Sequence, residues 1–513
     1  MKEGATKRAR FKPSCVEARR RFLYSTKAVE KRISKDPQWN TKPRRYWLRY
    51  LVDAILRQRL GMGRMIKSRS KPVNLHSKAL KGAIGDRHYR QALQWLMDEG
   101  LVGTDGEWRK GEKATGYFLT KRGWWGGIVP VELEDDRQAA RYLQARARLK
   151  KDSDKKREAE GVPLDYLRFH LGKLNWPDGA VEEHFSNLPV VERWQDAAKV
   201  EAHEYSVSLV LERDYTFTRD RAGRFYYALT NTPKALRQRL QYAGEDMVQI
   251  DVSSCHPFLA SWFYNGIQHH QGVEEERARY LADLKGPSFY RGIAEAAVES
   301  ITREWSIRNR EYDREYYRRL RFVQQRGGQV DRSWIREQVI ELNRLHKKRE
   351  AVSTMLEQGG HKAIKKEVLK SVFFGGIAQM ETSSISGGFS RLYPLLFGHL
   401  ASKKINLAPW IPHRHPKRVG GIEFTHWRND WKGDSELALL LQGVEARIVI
   451  DGALARIARE MPGVPAFPIH DCLMTLERHA TEVERIMAEE FVAAMGIAPS
   501  FKVERMTKKV GSI

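Results

Sequence analysis

The spacing of apolar residues marks out helices and strands before anything else is considered. Leu51, Ile55 and Leu56 share one face of a helix. A second helix is predicted from Asp86, a candidate N-cap, to Gly100, a candidate C-cap, with Tyr89, Leu93, Leu96 and Met97 as its apolar stripe. Leu101 and Val102 then open a strand, a polar Gly-rich tip spans 103–111, and a second strand returns over 116–120. Far downstream, Val248, Ile250 and Val252 alternate along a strand, which leaves Asp251 on its opposite face. Lys366, Lys370 and Phe374 recur every fourth residue and line one face of a helix that stops at Gly375-Gly376. Around His470-Asp471 the chain is apolar on both sides, so this polar pair marks a tight turn between two buried strands.

Composition narrows the partner. The chain has 513 residues, 41% of them hydrophobic and 10% aromatic, which suits a globular protein of two or more domains. Its formal charge of +26 points to a polyanion, nucleic acid ahead of a membrane surface, if it is more than a solvated basic surface. No apolar run reaches the ~18 residues of a membrane span, and the first ten residues lack a signal-peptide core. Cys15, Cys255 and Cys472 are scattered and form no disulfide or zinc pattern. A soluble, cytoplasmic, nucleoid-associated protein without a membrane partner is expected. His269-His270 and His413-Arg-His415 lack further ligands at suitable spacing and read as surface loops.

Residues 1–45 are dense in Lys and Arg (Lys7, Arg8, Arg10, Lys12, Arg19, Arg20, Arg21, Lys31, Arg32) and read as a basic arm. In 46–122, helices followed by a two-stranded hairpin resemble a winged-helix domain. On that reading Arg87, His88, Arg90 and Gln91 are exposed on the recognition helix, and Arg109, Lys110 and Lys113 sit on the wing. Winged helices also serve as protein-docking modules.

The candidate chemistry lies further on. Asp251, with the Val252 carbonyl beside it, can hold Mg²⁺, a hard ion that prefers oxygen ligands and substrate phosphates; alone, it could equally be a surface carboxylate at a strand end. Asp471 arriving next to it would complete a site for two Mg²⁺ ions, with Mn²⁺ as a substitute. One ion would lower the pKa of a primer 3′-hydroxyl and both would stabilise the in-line transition state. His470 would position the primer terminus or support the turn; as a lone residue it reads as a satisfied core histidine. Lys366 and Lys370 suit a triphosphate tail, and Phe374 can pack against sugar and base. A merely solvated basic helix leaves the apolar run Val372-Phe373-Phe374 unexplained.

These motifs, in this order, resemble the family A DNA polymerases and the related single-subunit phage-type RNA polymerases. The shared pieces are Asp251-Val-Ser, then the helix of Lys366, Lys370 and Phe374, then His470-Asp471. Gly223-Arg224 and Asn231-Thr-Pro233 resemble the Gly-Arg and Asn-x-Pro elements that precede the first motif, and Gln442-Gly443 resembles the Gln-Gly helix between the second and third. The resemblance covers 205–513. It implies a mixed α/β, right-hand polymerase: a linker and thumb-like helices over 123–204, then palm and fingers over 205–513, with the fingers at about 258–400, behind the winged-helix domain. It implies that Arg224, Asn231, Gln442 and His470 hold template–primer, that Lys366, Lys370, Phe374 and His256 contact the nucleotide, and that Lys370 joins Asp251 and Asp471 in catalysis.

The chain departs from the pattern in places. Lys366 stands for the usual Arg, Ala378 for a Tyr, and His256 occupies the sugar-sensing position held by Glu in the DNA enzymes and Gly in the RNA enzymes. The polar interval 302–349 reads as an insertion of charged helices in the fingers. No strand with Asp-x-Glu precedes the palm, so no proofreading nuclease is expected. The implied function is DNA-directed DNA synthesis, from a template–primer and nucleoside triphosphates, in replication of a phage, plasmid or other mobile element, with a duplex DNA site for the winged helix. An RNA polymerase or primase of the same fold is the enzymatic alternative. A DNA-binding initiator or regulator with an inactive palm is the non-enzymatic one.

Overall fold

The computed structural model describes residues 22–61, 72–75, 77–106, 115–134, 154–158, 160–187, 206–211, 215–220, 222–267, 270–286, 288–326, 331–375, 377–407, 417–419, 422–424 and 436–506, with isolated positions between them. It is a mixed helix and sheet protein with two hydrophobic cores.

The first core is built by β1 (Phe22–Thr26), α1 (Lys27–Lys35), α2 (Lys42–Gly61), β2 (Val73–Asn74), α3 (Ser77–Ile84), α4 (Asp86–Asp98), β3 (Val102–Thr104), β4 (Gly116–Leu119) and β5 (Ile128–Glu132). The strands β2, β4 and β3 form one antiparallel sheet in that order. The α4 stripe buries Leu93 and Leu96, with Ala92 and Trp95 beside them. Gly100 ends the helix in the left-handed region (φ +63°). Its N–H donates to the Met97 carbonyl (2.8 Å) and the Leu101 N–H to the Leu96 carbonyl (2.9 Å), which closes the last turn. Asp86 lies inside the first turn, after a Gly85 at φ +88° that offers no side-chain cap.

Three expectations change here. Residues 22–45 are no arm: β1 pairs with β5, and α1 buries Val29 and Ile33 under a Thr26 cap whose oxygen accepts from the Val29 N–H at 3.3 Å. Three apolar positions, Phe22, Leu23 and Tyr24, are enough to start a strand among so many cations when a partner strand waits about a hundred residues away. That partner, β5, lies in the stretch read as a linker, and Trp124 just before it is buried. His88 is not free on α4. Its ring is half-buried and stacks on Trp47 at 4.0 Å, whereas Arg87, Arg90 and Gln91 are exposed. Arg109, Lys110, Lys113 and residues 1–21 lie outside the described residues.

The second core begins with α5 (Leu164–Leu171), β6 (Leu174–Asn175), α6 (Ala180–Ser186), β7 (Thr218–Arg219), β8 (Phe225–Tyr226), β9 (Gln241–Tyr242) and β10 (Glu245–Val252). Helices follow: α7 (Cys255–Ala260), α8 (Val273–Lys285), α9 (Phe289–Arg326), α10 (Arg332–Glu357), α11 (Gly360–Val368), α12 (Ile377–Thr382), α13 (Ser384–Leu392) and α14 (Pro394–Leu407). The chain closes with β11 (Lys417–Val419), β12 (Ile422–Phe424), α15 (Glu436–Ala446), β13 (Phe467–Ile469), β14 (Cys472–Leu476), α16 (Ala480–Met495) and β15 (Phe501–Arg505).

Its sheet runs β13-β14-β10-β9-β6, with β15 on β10. The strand β10 pairs antiparallel with β14 through Met247–Asp251 and with β15 through Val248–Val252. Residues 162–181, assigned above to a linker and thumb, join this core instead: β6 pairs with β9, and Tyr166 donates to the Val464 carbonyl at 2.5 Å. The interval 302–349 is helical as expected. Helices α9 and α10 form a hairpin whose root packs through Phe289, Ile293, Ala297 and Ile301. Gly388 of α13 lies so close to that root that an added Cβ would meet the Ile293 carbonyl at 2.1 Å.

Candidate active site at the end of the sheet

Asp251 and Asp471 reach the same place by different routes. Asp251 is the register partner of Cys472, the residue after Asp471, and the Val252 N–H donates to the Asp471 carbonyl at 3.3 Å. Asp471 sits in the two-residue turn between β13 and β14, whose first residue, His470, takes a left-handed φ of +58°. A β-hairpin this tight needs such a residue, and here it is not glycine. The turn thus holds the second carboxylate over the end of β10. His470 meets Tyr226 edge-on at 5.5 Å, and its Nδ1 is buried with no hydrogen-bond partner among the described residues.

Both carboxyls are pushed up from the ordinary range. For Asp471, burial acts first, then repulsion from Glu445 and Asp251, bringing it to about 7. For Asp251, burial raises the value, Lys365 pulls it back, and Glu504 pushes it further up. Two carboxyl groups that crowd each other in this way favour a cation between them. Val252 follows Asp251 at the same strand end. Among the described residues, no group of three or more His, Cys, Asp or Glu side chains converges on one point. A hard cation here would therefore complete its shell with water and substrate oxygens, as Mg²⁺ does.

Glu445, at the end of α15 and three residues after Gln442, is a charged residue to which the sequence motifs assign no role. Its side chain is fully buried. Its Oε1 accepts from Arg224 Nε at 2.9 Å and its Oε2 from Nη2 at 2.7 Å, and His256 Nε2 lies 3.2 Å from the same Oε2. Burial pushes this carboxyl up, but the His256 hydrogen bond and the Arg224 guanidinium outweigh it and hold the value below normal. Burial likewise disfavours the Arg224 cation, and Glu445 more than restores it. Arg224 is thus pinned by a bidentate pair and does not reach out freely. The φ of Gly223 (+82°) in the β7–β8 turn aims it inward.

His256 also meets Phe374 edge-to-face at 4.9 Å, ring planes 87° apart. Two of the four residues assigned to the nucleotide are therefore neighbours. Helix α11 passes into a π-helical turn over Leu369–Phe374, so Lys366 lies on the α-helix and Lys370 and Phe374 lie on the turn. Lys366 and Lys370 are exposed, and Lys370 lies 3.6 Å from Glu367. Lys365, which the four-residue spacing passed over, is the cation felt most strongly by Asp251. Asn231 and Gln442 are half-buried; the Asn231 amide donates to the Tyr227 carbonyl at 3.5 Å. His413, His415 and His269 lie outside the described residues.

No helix among the described residues is long and apolar enough to cross a membrane. No family model matches the chain, and no curated protein matches it. Among solved structures, the POL domain of Pol1 from M. smegmatis, in complex with DNA primer-template and dNTP, is similar to this chain with a TM-score of 0.32 and 14% identity. The match covers 64% of this chain and 55% of that one, so this chain spans about half of that length. Nothing in the functional reading rests on a likeness of that size.

Proposed function

We propose that this protein is a template-directed nucleotidyltransferase that extends a 3′ end with deoxynucleotides, without proofreading, in replication of a mobile element. One observation carries the reading: Asp251 and Asp471, 220 positions apart, meet at one end of the central strands beside a cationic helix, in an environment that makes both carboxyls hard to ionise together. The donor set fits Mg²⁺: two carboxylates and the Val252 carbonyl, all oxygen. Bound there, the metal supplies acidity to a primer hydroxyl and charge to the in-line displacement. The chain's own groups do the rest. Lys365, Lys366 and Lys370 attract the triphosphate; Phe374 packs on base and sugar; His256, fixed between Phe374 and Glu445, crowds the space beside the sugar. Arg224 and Gln442 lie along the template–primer side, with Asn231 and His470. The order α2-β2-α3-α4-β3-β4, with exposed Arg87 and Arg90 on α4, supports a winged-helix DNA contact as a second component.

The test is extension of a labelled primer on a DNA template with Mg²⁺, offering deoxy- or ribonucleotides. Extension that disappears in Asp471→Asn, with deoxynucleotides preferred, is the expected result. Ribonucleotide preference would replace DNA synthesis by RNA synthesis. No extension from either set would leave a DNA-binding protein. His256→Gly should relax the choice of sugar, and unchanged selectivity would remove His256 as the gate.

A further inference from the structure

The hairpin α9–α10 leaves the core and turns an unpaired cationic face outward. Beyond Ile301 no residue of α9 is buried, and α10 buries only Leu345 and Val352. At 38 residues, α9 is roughly 57 Å long. Its distal part packs on α10 through an inner stripe: Tyr312 stacks on Trp334 at 5.5 Å, and Arg319 lies over the same ring at 4.4 Å.

The opposite face reads Arg303, Ile307, Arg310, Arg314, Tyr317, Arg321, spaced alternately four and three residues apart, which is one stripe of a helix. All six are exposed, Tyr317 at 60%. Acidic residues flank the stripe without occupying it: Glu304 pairs with Arg308 (3.3 Å), Glu315 with Arg318 and Arg319 (2.7 Å each), Asp313 accepts from the Asn309 amide (3.3 Å), and Glu311 is exposed beside it. Among the described residues, Arg303, Arg310, Arg314 and Arg321 have no carboxylate within ion-pairing distance. Arg310 and Arg321 donate only to the carbonyls of Ser306 (3.2 Å) and Tyr317 (3.5 Å).

We infer that this outer stripe is a nucleic-acid contact, with the four arginines on phosphodiesters along about 27 Å of backbone and Tyr317 able to stack on a base. Guanidinium groups, each able to grip two phosphate oxygens, occupy every charged position of the stripe, and no lysine does. A membrane surface is the poorer fit, because Ile307 and Tyr317 are the only apolar side chains on the face. The inference stands apart from the carboxylate site, since a polyanion can bind here whether or not the chain transfers nucleotides.

The experiment is equilibrium binding of the full chain to a fluorescent 30-base-pair blunt duplex and to a 30-residue oligo(dT). It is run across a salt series without nucleotide or divalent cation. Arg310→Gln/Arg314→Gln/Arg321→Gln should weaken binding on the order of 10-fold or more and reduce the slope of log affinity against log salt by about 2–3. Glutamine keeps the helix, and the single Arg314→Gln change should remove about one unit of slope should the triple variant fold poorly. The control Arg308→Gln/Arg318→Gln/Arg344→Gln removes the same charge from ion-paired positions and should change the slope less. The probe that loses more affinity identifies duplex or single strand. An unchanged slope in the stripe variants overturns the inference, as does an equal loss in the control.

Discussion

Arg224 and the arginines of the α9 stripe are the same residue put to opposite use. Arg224 is locked: Glu445 grips it bidentately inside the core, and His256 completes the group. Arg310, Arg314 and Arg321 stand in water with no carboxylate partner among the described residues. A buried pair contributes little net stability, because desolvation offsets attraction, but it fixes geometry. An exposed cation fixes nothing and keeps its full charge for a partner. One region therefore reads as a site built on position, the other as a surface built on charge. The difference sets what each should do when altered.

Glu445→Ala should have the largest effect. It leaves Arg224 buried without its partner, and thermal melts should show a loss of about 3–5 kcal/mol, more than in Glu445→Gln. A near-neutral result would mean the group opens to water. Next comes pH. An unfolded Asp titrates near 3.9, while folded Asp471 is raised to about 7, so the native state holds this proton more tightly. Its contribution is complete below about pH 4 and is lost as pH rises through about 7, at most on the order of 4 kcal/mol. Melts between pH 5 and 8 should show the decline in the wild-type chain and much less of it in Asp471→Asn. Mg²⁺ at pH 8 should restore stability only where Asp471 is present. At the hairpin root, Gly388→Ala forces α13 away from α9 and should cost about 1–3 kcal/mol, read as a lower Tm. The stripe variant Arg310→Gln/Arg314→Gln/Arg321→Gln should change Tm least, within about 0.5 kcal/mol, though it weakens DNA binding most. A large drop in its Tm would place those arginines in the fold and erase the contrast.

Much of the site was legible because short-range pattern carries it. The alternation of Val248, Ile250 and Val252 placed Asp251 on a strand, and the apolar flanks of His470-Asp471 located the turn; pairing across β10 and β14 then brings the two together. What was missed depends on long-range partners. Phe22–Thr26 looked like part of a basic arm because its partner strand lies about a hundred residues later. Glu445 carried no periodic signal, and only the fold reveals that it faces Arg224 from 221 positions away. Lys365 stands one position before the Lys366, Lys370 and Phe374 series, so a strict four-residue count passes over it. The outer arginine stripe was present in the 3–4 spacing throughout, but which face of α9 meets α10 is decided by packing.

The central claim is that Asp251 and Asp471 act as one unit in nucleotidyl transfer. Single-turnover primer extension by Asp251→Asn, Asp471→Asn and the double variant tests it directly. Each single change should cost on the order of 10³-fold or more, and the double should be little worse than either, because the second carboxylate has no task once the first is gone. Losses that multiply, or a single variant retaining more than about a tenth of the wild-type rate, would contradict the account.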